Sequence, residues 1–140
     1  MKSTLIISLL ILIFQYCFAA EFQNVKFIRC YDGDTCTFTI EGIPKVFGEK
    51  ISVRILGIDT PEIRGKCEGE KLKAKEAKKF INDFLLNGQH ISLVNVDRGK
   101  YFRLLADIEV DGISVSELMI KKGYARVYEG GKRLEWCEIK

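Results

Sequence analysis

Two short acidic segments and two separated arginines hold most of the residues able to do chemistry. The first segment is Asp32-Gly33-Asp34-Thr35, and the second runs Arg54-Ile55-Leu56-Gly57-Ile58-Asp59-Thr60-Pro61-Glu62. Arg103 follows Lys100, Tyr101 and Phe102. Taken singly, each is ordinary. An Asp-Gly pair marks a tight turn in which Gly33 is free to adopt positive φ, Asp59 and Thr60 can cap a turn, and a lone surface arginine usually pairs with a nearby acid. Taken together they match phosphodiester hydrolysis, which needs an activated water and positive charge beside the oxygens that grow more negative. Asp34 and Asp59 offer hard oxygen ligands for a divalent ion, and no His or Cys joins them, so Ca²⁺ or Mg²⁺ suits the set better than zinc or copper. Glu62 can hold or deprotonate the attacking water, while Arg54 and Arg103 present planar forks of donors to a phosphate. The only imidazole, His90, begins a strand and reads as structural. That turns the chemistry away from histidine bases.

Positioning these groups falls to a chain of 140 residues with 22 Lys+Arg and 19 Asp+Glu, room for one domain. The apolar excess is uneven, with 15 hydrophobic residues among the first 20 and 51 among the other 120. Lys2, the apolar run Leu5–Phe14 and the small-residue end Ala19-Ala20 predict a signal peptide over 1–20, cut near Ala19 or Ala20, and a secreted or periplasmic domain over 21–140. Ten core residues are too few for a bilayer span of about 20, so no stable membrane association is expected after cleavage. Four cysteines then remain, Cys30, Cys36, Cys67 and Cys137, and no C-x-x-C pair suggests zinc, so disulfides are expected. We expect Cys67 to bond Cys137 and Cys30 to bond Cys36.

Two-residue alternation predicts strands at Cys36–Ile40, Ile51–Ile55 and Leu104–Val110, and β-rich runs add Val25–Arg29 and Ile91–Val96. Ala77, Phe80, Ile81, Phe84 and Leu85 follow helical spacing up to Asn87-Gly88. Ser114 with Glu117 forms a capping box for a short helix ended by Gly123. The order β-β-β-α-β-β-α, mainly β with helices (α+β), is that of a five-stranded OB-fold barrel, followed by an irregular tail over Glu129–Lys140 expected to pack through Trp136 and a disulfide. From Ile63 to Phe80, seven bases face three acids. This basic stretch would draw polyanions to the neighbouring acidic segments.

These motifs resemble those of staphylococcal nuclease and its thermonuclease-like relatives, from about Val25 to Tyr128. The resemblance implies that Asp34, Asp59 and the Thr60 carbonyl bind calcium, that Glu62 is the general base, and that Arg54 and Arg103 bind phosphate. It also implies DNA and RNA as substrates, little sequence selectivity and 3′-phosphate products. A monomer is expected. Departures are Phe102 in place of the family's glycine before the last arginine, a shorter segment after Glu62, a Gly-Gly, Trp and Cys tail in place of a third helix, and the cysteines themselves. A binding module on the same barrel, holding nucleic acid without cutting it, is the alternative.

Overall fold

A computed structural model describes residues 20–137. The expected leader, Ala20 apart, lies outside the described residues, as do 138–140. Ala20–Phe22 forms an edge strand, β1. The five expected strands follow as β2 (Lys26–Cys30), β3 (Thr35–Thr39), β4 (Ile51–Ile55), β6 (Ile91–Arg98) and β7 (Leu104–Val110). Side by side they run β2-β3-β4-β7-β6, with β4 and β7 parallel and the other pairs antiparallel. In chain order that is first, second, third, fifth, fourth, the OB arrangement. The first and fourth meet where the Val25 N–H donates to the Ile91 carbonyl at 3.0 Å.

Alternation explains the core. Cys36 and Phe38 of β3, Val53 and Ile55 of β4, and Ala106, Ile108 and Val110 of β7 are all buried, and the residues between them reach the surface. A long helix, α2 (Glu68–Asn87), closes one side through Ala74, Ala77, Ile81 and Leu85, spaced three or four apart. Asn82 docks it on the sheet by accepting from the Cys30 N–H at 2.9 Å. The helix stops at Gly88 for a reason other than the left-handed turn such a glycine usually supplies. Gly88 has φ −71°, and a Cβ there would lie 2.3 Å from Val110 Cγ1, so its value is closeness to β7. The capping box holds as expected, the Ser114 side chain accepting from the Glu117 N–H ahead of α3 (Val115–Lys121), which Gly123 ends at φ +76°.

Short elements fill the gaps between these. A helical turn, α1 (Lys45–Gly48), bridges β3 and β4, and β8 (Ile113–Ser114) folds back to pair antiparallel with the end of β7. Two residues of β5 (Ile58–Asp59) pair antiparallel with β9 (Arg126–Val127). Alternation over four to eight residues cannot reveal two-residue strands, which exist only because a distant segment pairs with them. Both expected disulfides are present, Cys30–Cys36 with Cα atoms 3.8 Å apart and Cys67–Cys137 at 6.0 Å. The second closes 70 residues of chain and the first only 6. Replacing Cys67 and Cys137 by serine is expected to cost roughly 4 kcal/mol, about twice the loss from the Cys30–Cys36 pair, in urea unfolding under oxidising conditions.

Candidate active site

Three loops build the cluster. The turn between β2 and β3 carries Asp32 and Asp34, with the Asp32 carboxylate accepting from the Asp34 and Thr35 N–H groups at 3.2 and 2.9 Å. Gly33 does not take the positive φ expected of it. A Cβ at Gly33 would meet three side-chain atoms of Thr60 at 3.0 Å, so the glycine lets the first acidic turn lie directly on the second. The Ile55 N–H donates to the Asp34 carbonyl at 2.8 Å and fixes that turn to the end of β4. Asp59 is held by pairing with Arg126 across β5 and β9. Asp34, Asp59 and Thr60 are 1%, 3% and 2% exposed.

Glu62 lies on the loop beyond Pro61, half exposed. Its N–H donates to Glu70 Oε1 at 3.2 Å, and the Lys66 N–H donates to the other oxygen of the same carboxylate at 2.9 Å. Glu70 is therefore a clamp reaching back from the first turn of α2, and it packs against Gly65 so closely that a Cβ there would lie within 2.5 Å of it. Sequence reasoning passed over Glu70 as one charge in a Lys-rich helix. Its available signal was a position just after Cys67, on the buried side of the helix.

The carboxylates share one cation. Arg133, from the tail, makes ion pairs with Asp34, Asp59 and Glu62, the first through Nη2 at 3.6 Å, the second through Nε and the third through Nη1. Arg54 reaches Asp34 Oδ1 from the other side at 2.5 Å and the Ile58 carbonyl at 3.3 Å. Burial opposes the charge on Arg133, but Glu62, Asp59 and Asp34 together hold its guanidinium above the ordinary range. Asp32 answers oppositely. Burial, then the charges of Asp34 and Glu62, push its carboxyl up to about 6. The site is thus a buried acidic pocket whose carboxylates are paired with arginine.

Asp34 Oδ2 and Asp59 Oδ1 are buried and accept no hydrogen bond among the described residues, although both face Arg133 as ion pairs. Their requirement is for positive charge rather than for a directed donor. With only oxygen donors around it, the pocket suits a hard divalent cation. Arg103 lines the same cleft as Arg54, Glu62 and Arg133, and its Nε is buried with no partner among the described residues. Tyr31 and Tyr128 flank the cleft, and Lys78 of α2 stands 5.9 Å from the Tyr31 ring, so the basic helix borders its rim. His90 sits elsewhere, exposed and bound through its N–H to Asp111.

The tail's course is set by the same pocket. Gly130 and Gly131, both at positive φ, turn it back across the β5–β9 pair. Trp136 Nε1 donates to Asp59 Oδ2 at 3.0 Å, with the Arg126 guanidinium 3.7 Å above its ring. Lys66 pairs with Glu135 at 2.7 Å, and Cys137 bonds Cys67. The expected packing through Trp136 and a disulfide is present, and Arg133 is the functional residue that sequence reasoning missed.

The family model described as staphylococcal nuclease homologue matches residues 52–135, more than half of the chain. The chain is 38% identical over 108 residues to the endonuclease YncB of Bacillus subtilis, covering 74% of this chain and 47% of that protein. It is also 38% identical over 111 residues to the SPbeta prophage-derived endonuclease YokF of the same organism, covering 76% and 35%. With a probable endonuclease of Schizosaccharomyces pombe, C19F8.04c, it shares 35% identity over 89 residues, covering 59% and 38%. The chain spans less than half the length of each of these relatives.

Replacing Arg133 by Gln strips the cluster of its shared counter-charge. Discounted because Arg133 stays more than a third exposed, the expected loss in unfolding free energy is about 1–3 kcal/mol. Chemical denaturation in chelator reads it, and the loss should be larger at low salt than at high salt.

Proposed function

Because the chain belongs to the staphylococcal nuclease homologue family, we propose that it is an exported, calcium-dependent phosphodiesterase that cuts DNA and RNA with low sequence selectivity and leaves 3′-phosphate ends. The observation that carries this reading is the convergence of Asp34, Asp59 and Glu62 on one cation position, with Arg54 and Arg103 in the same cleft. Asp34, Asp59 and the Thr60 carbonyl would hold the ion, which when bound supplies positive charge beside the phosphate oxygens. Arg133 then gives up the carboxylates.

Glu62 accepts a proton from a water aligned with the phosphorus. The water oxygen bonds phosphorus, the P–O5′ bond breaks, and the departing 5′ oxygen is protonated from solvent. Arg54 and Arg103 donate to the non-bridging oxygens as their charge grows. The unpartnered Arg103 Nε suits that task, since a donor already desolvated loses nothing when a phosphate arrives. Glu70 keeps the Glu62 backbone in place during the proton transfer. Lysines along α2 gather the polyanion at the rim.

Export rests on the apolar leader and the two disulfides, which favour an oxidising compartment. Among the described residues no helix is long and apolar enough to cross a membrane. The protein is proposed to act as a monomer.

Digestion of single- and double-stranded nucleic acid with added Ca²⁺ tests the reading. Glu62→Gln and, separately, Arg54→Ala and Arg103→Ala are each expected to lower kcat by roughly two to four orders of magnitude. Chelator should abolish cleavage. Full activity in chelator would refute the mechanism, whereas salt-sensitive binding without products would establish the non-catalytic binding module instead. A second measurement uses Gly33→Ala, whose added methyl presses on Thr60 and parts the two acidic turns. Calorimetric Ca²⁺ affinity should fall while the thermal unfolding midpoint moves by only a few degrees.

A further inference from the structure

Tyr101 and Phe102 occupy the tip of the β6–β7 hairpin, both at φ +58°, with the Arg103 N–H bonded back to the Lys100 carbonyl at 3.2 Å. Two central residues at positive φ define a turn that strongly prefers Asn-Gly or Gly-Gly. Filling it with two aromatics costs backbone free energy that glycine would not. It also exposes large rings to water, since Tyr101 is 93% and Phe102 86% exposed. Neither the fold nor the phosphate chemistry accounts for a phenylalanine here.

Beside this turn lies a groove of about 400 Å³, walled by Phe22, Ile43, Phe47, Ile51 and Phe102 and bounded by Arg103. Phe47 and its neighbour Val46, on α1, are themselves exposed. The walls are apolar, while the rim carries Asp97 with Arg98 and Arg103, one acid against two bases. Arg103 also lines the catalytic cleft, so groove and cleft share a boundary at the residue assigned to a phosphate oxygen.

We propose that this groove is a nucleobase subsite, in which Phe102 and Phe47 stack an unpaired base next to the phosphate held by Arg103. The occupant is a base rather than a lipid or a second copy, because the groove meets the polyanion cleft at Arg103, the cation assigned to a phosphate oxygen. An unpaired base presents an apolar face of the right shape, which a base within a duplex keeps stacked on its neighbours. The subsite therefore favours single-stranded substrate. The inference rests on the phosphodiesterase reading above.

The test measures binding to the Glu62→Gln protein in Ca²⁺, using a short single-stranded DNA and the same backbone with every base removed. Phe102→Gly in that background is expected to weaken binding of the ordinary strand about tenfold and to leave the base-free strand unaffected. Phe47→Ala, which leaves the turn intact, should act in the same direction. Glycine suits φ +58°, so the Phe102→Gly protein should also melt at a higher temperature, which separates lost stacking from misfolding. Equal binding of both strands with and without Phe102 would overturn the subsite. So would a vesicle association or a dimer that Phe102→Gly abolishes while base dependence persists. Cleavage by the unsubstituted protein is scored separately: no cleavage alongside Phe102-dependent base binding removes the nuclease reading and leaves the subsite standing.

Discussion

Like charges crowded into a poorly hydrated pocket must be neutralised or driven apart, and the site is organised around that constraint. Asp34 comes from one turn, Asp59 and Glu62 from a second segment, and all three meet at one guanidinium, while burial and then the charges of Asp34 and Glu62 push the neighbouring Asp32 carboxyl up to about 6. Bringing them together is unfavourable in isolation. The surrounding structure supplies what opposes the repulsion: Gly33 seated on Thr60, the two-residue pairing of β5 with β9, and the Glu70 carboxylate accepting from two loop N–H groups. None of these contacts is large. Together they make the acidic turns a rigid receptor for positive charge, whichever cation fills it.

The barrel's contribution is register. Parallel pairing of β4 with β7 sets Val53 beside Leu104 and Arg54 beside Leu105, so Arg54 and Arg103 emerge from adjacent strands at the same end of the sheet. Antiparallel pairing of Thr35 with Arg54 brings the Asp34 turn to that end as well. A one-residue slip in either ladder would send an arginine to the opposite face. Buried Val53, Ile55, Ala106 and Ile108 hold the register because slipping would expose them. Core packing is therefore what specifies the spacing of the phosphate donors.

Much of this was legible in the sequence. Alternation in β3, β4 and β7 placed their buried faces, the helical spacing of Ala77, Ile81 and Leu85 placed α2, and the Ser114 capping box was read correctly because each is a local pattern. The residue types at Asp34, Asp59, Glu62, Arg54 and Arg103 were enough to propose a site, and folding brings Glu62, Arg54 and Arg103 to one cleft, with Asp34 and Asp59 joined to it through Arg133. What stayed hidden is non-local. Gly33 and Gly88 look like turn glycines, yet each serves a close approach to a residue more than twenty positions away. Glu70 offers only its position just after Cys67 and Arg133 offers no signal of its own, because a clamp and a counter-charge are defined by what they touch.

Chain order adds a consequence for folding. Glu62 and the Arg133 that neutralises it are 71 positions apart, and Trp136 reaches Asp59 across 77. Contacts this distant form late, after the hairpins and α2 have closed the shorter loops. Until then the acidic turns have no internal counter-ion, and a nascent barrel either keeps them apart or borrows a cation from its surroundings. The pocket is thus complete only once the tail has closed onto it, and a cation from the surroundings can stand in for Arg133 until then.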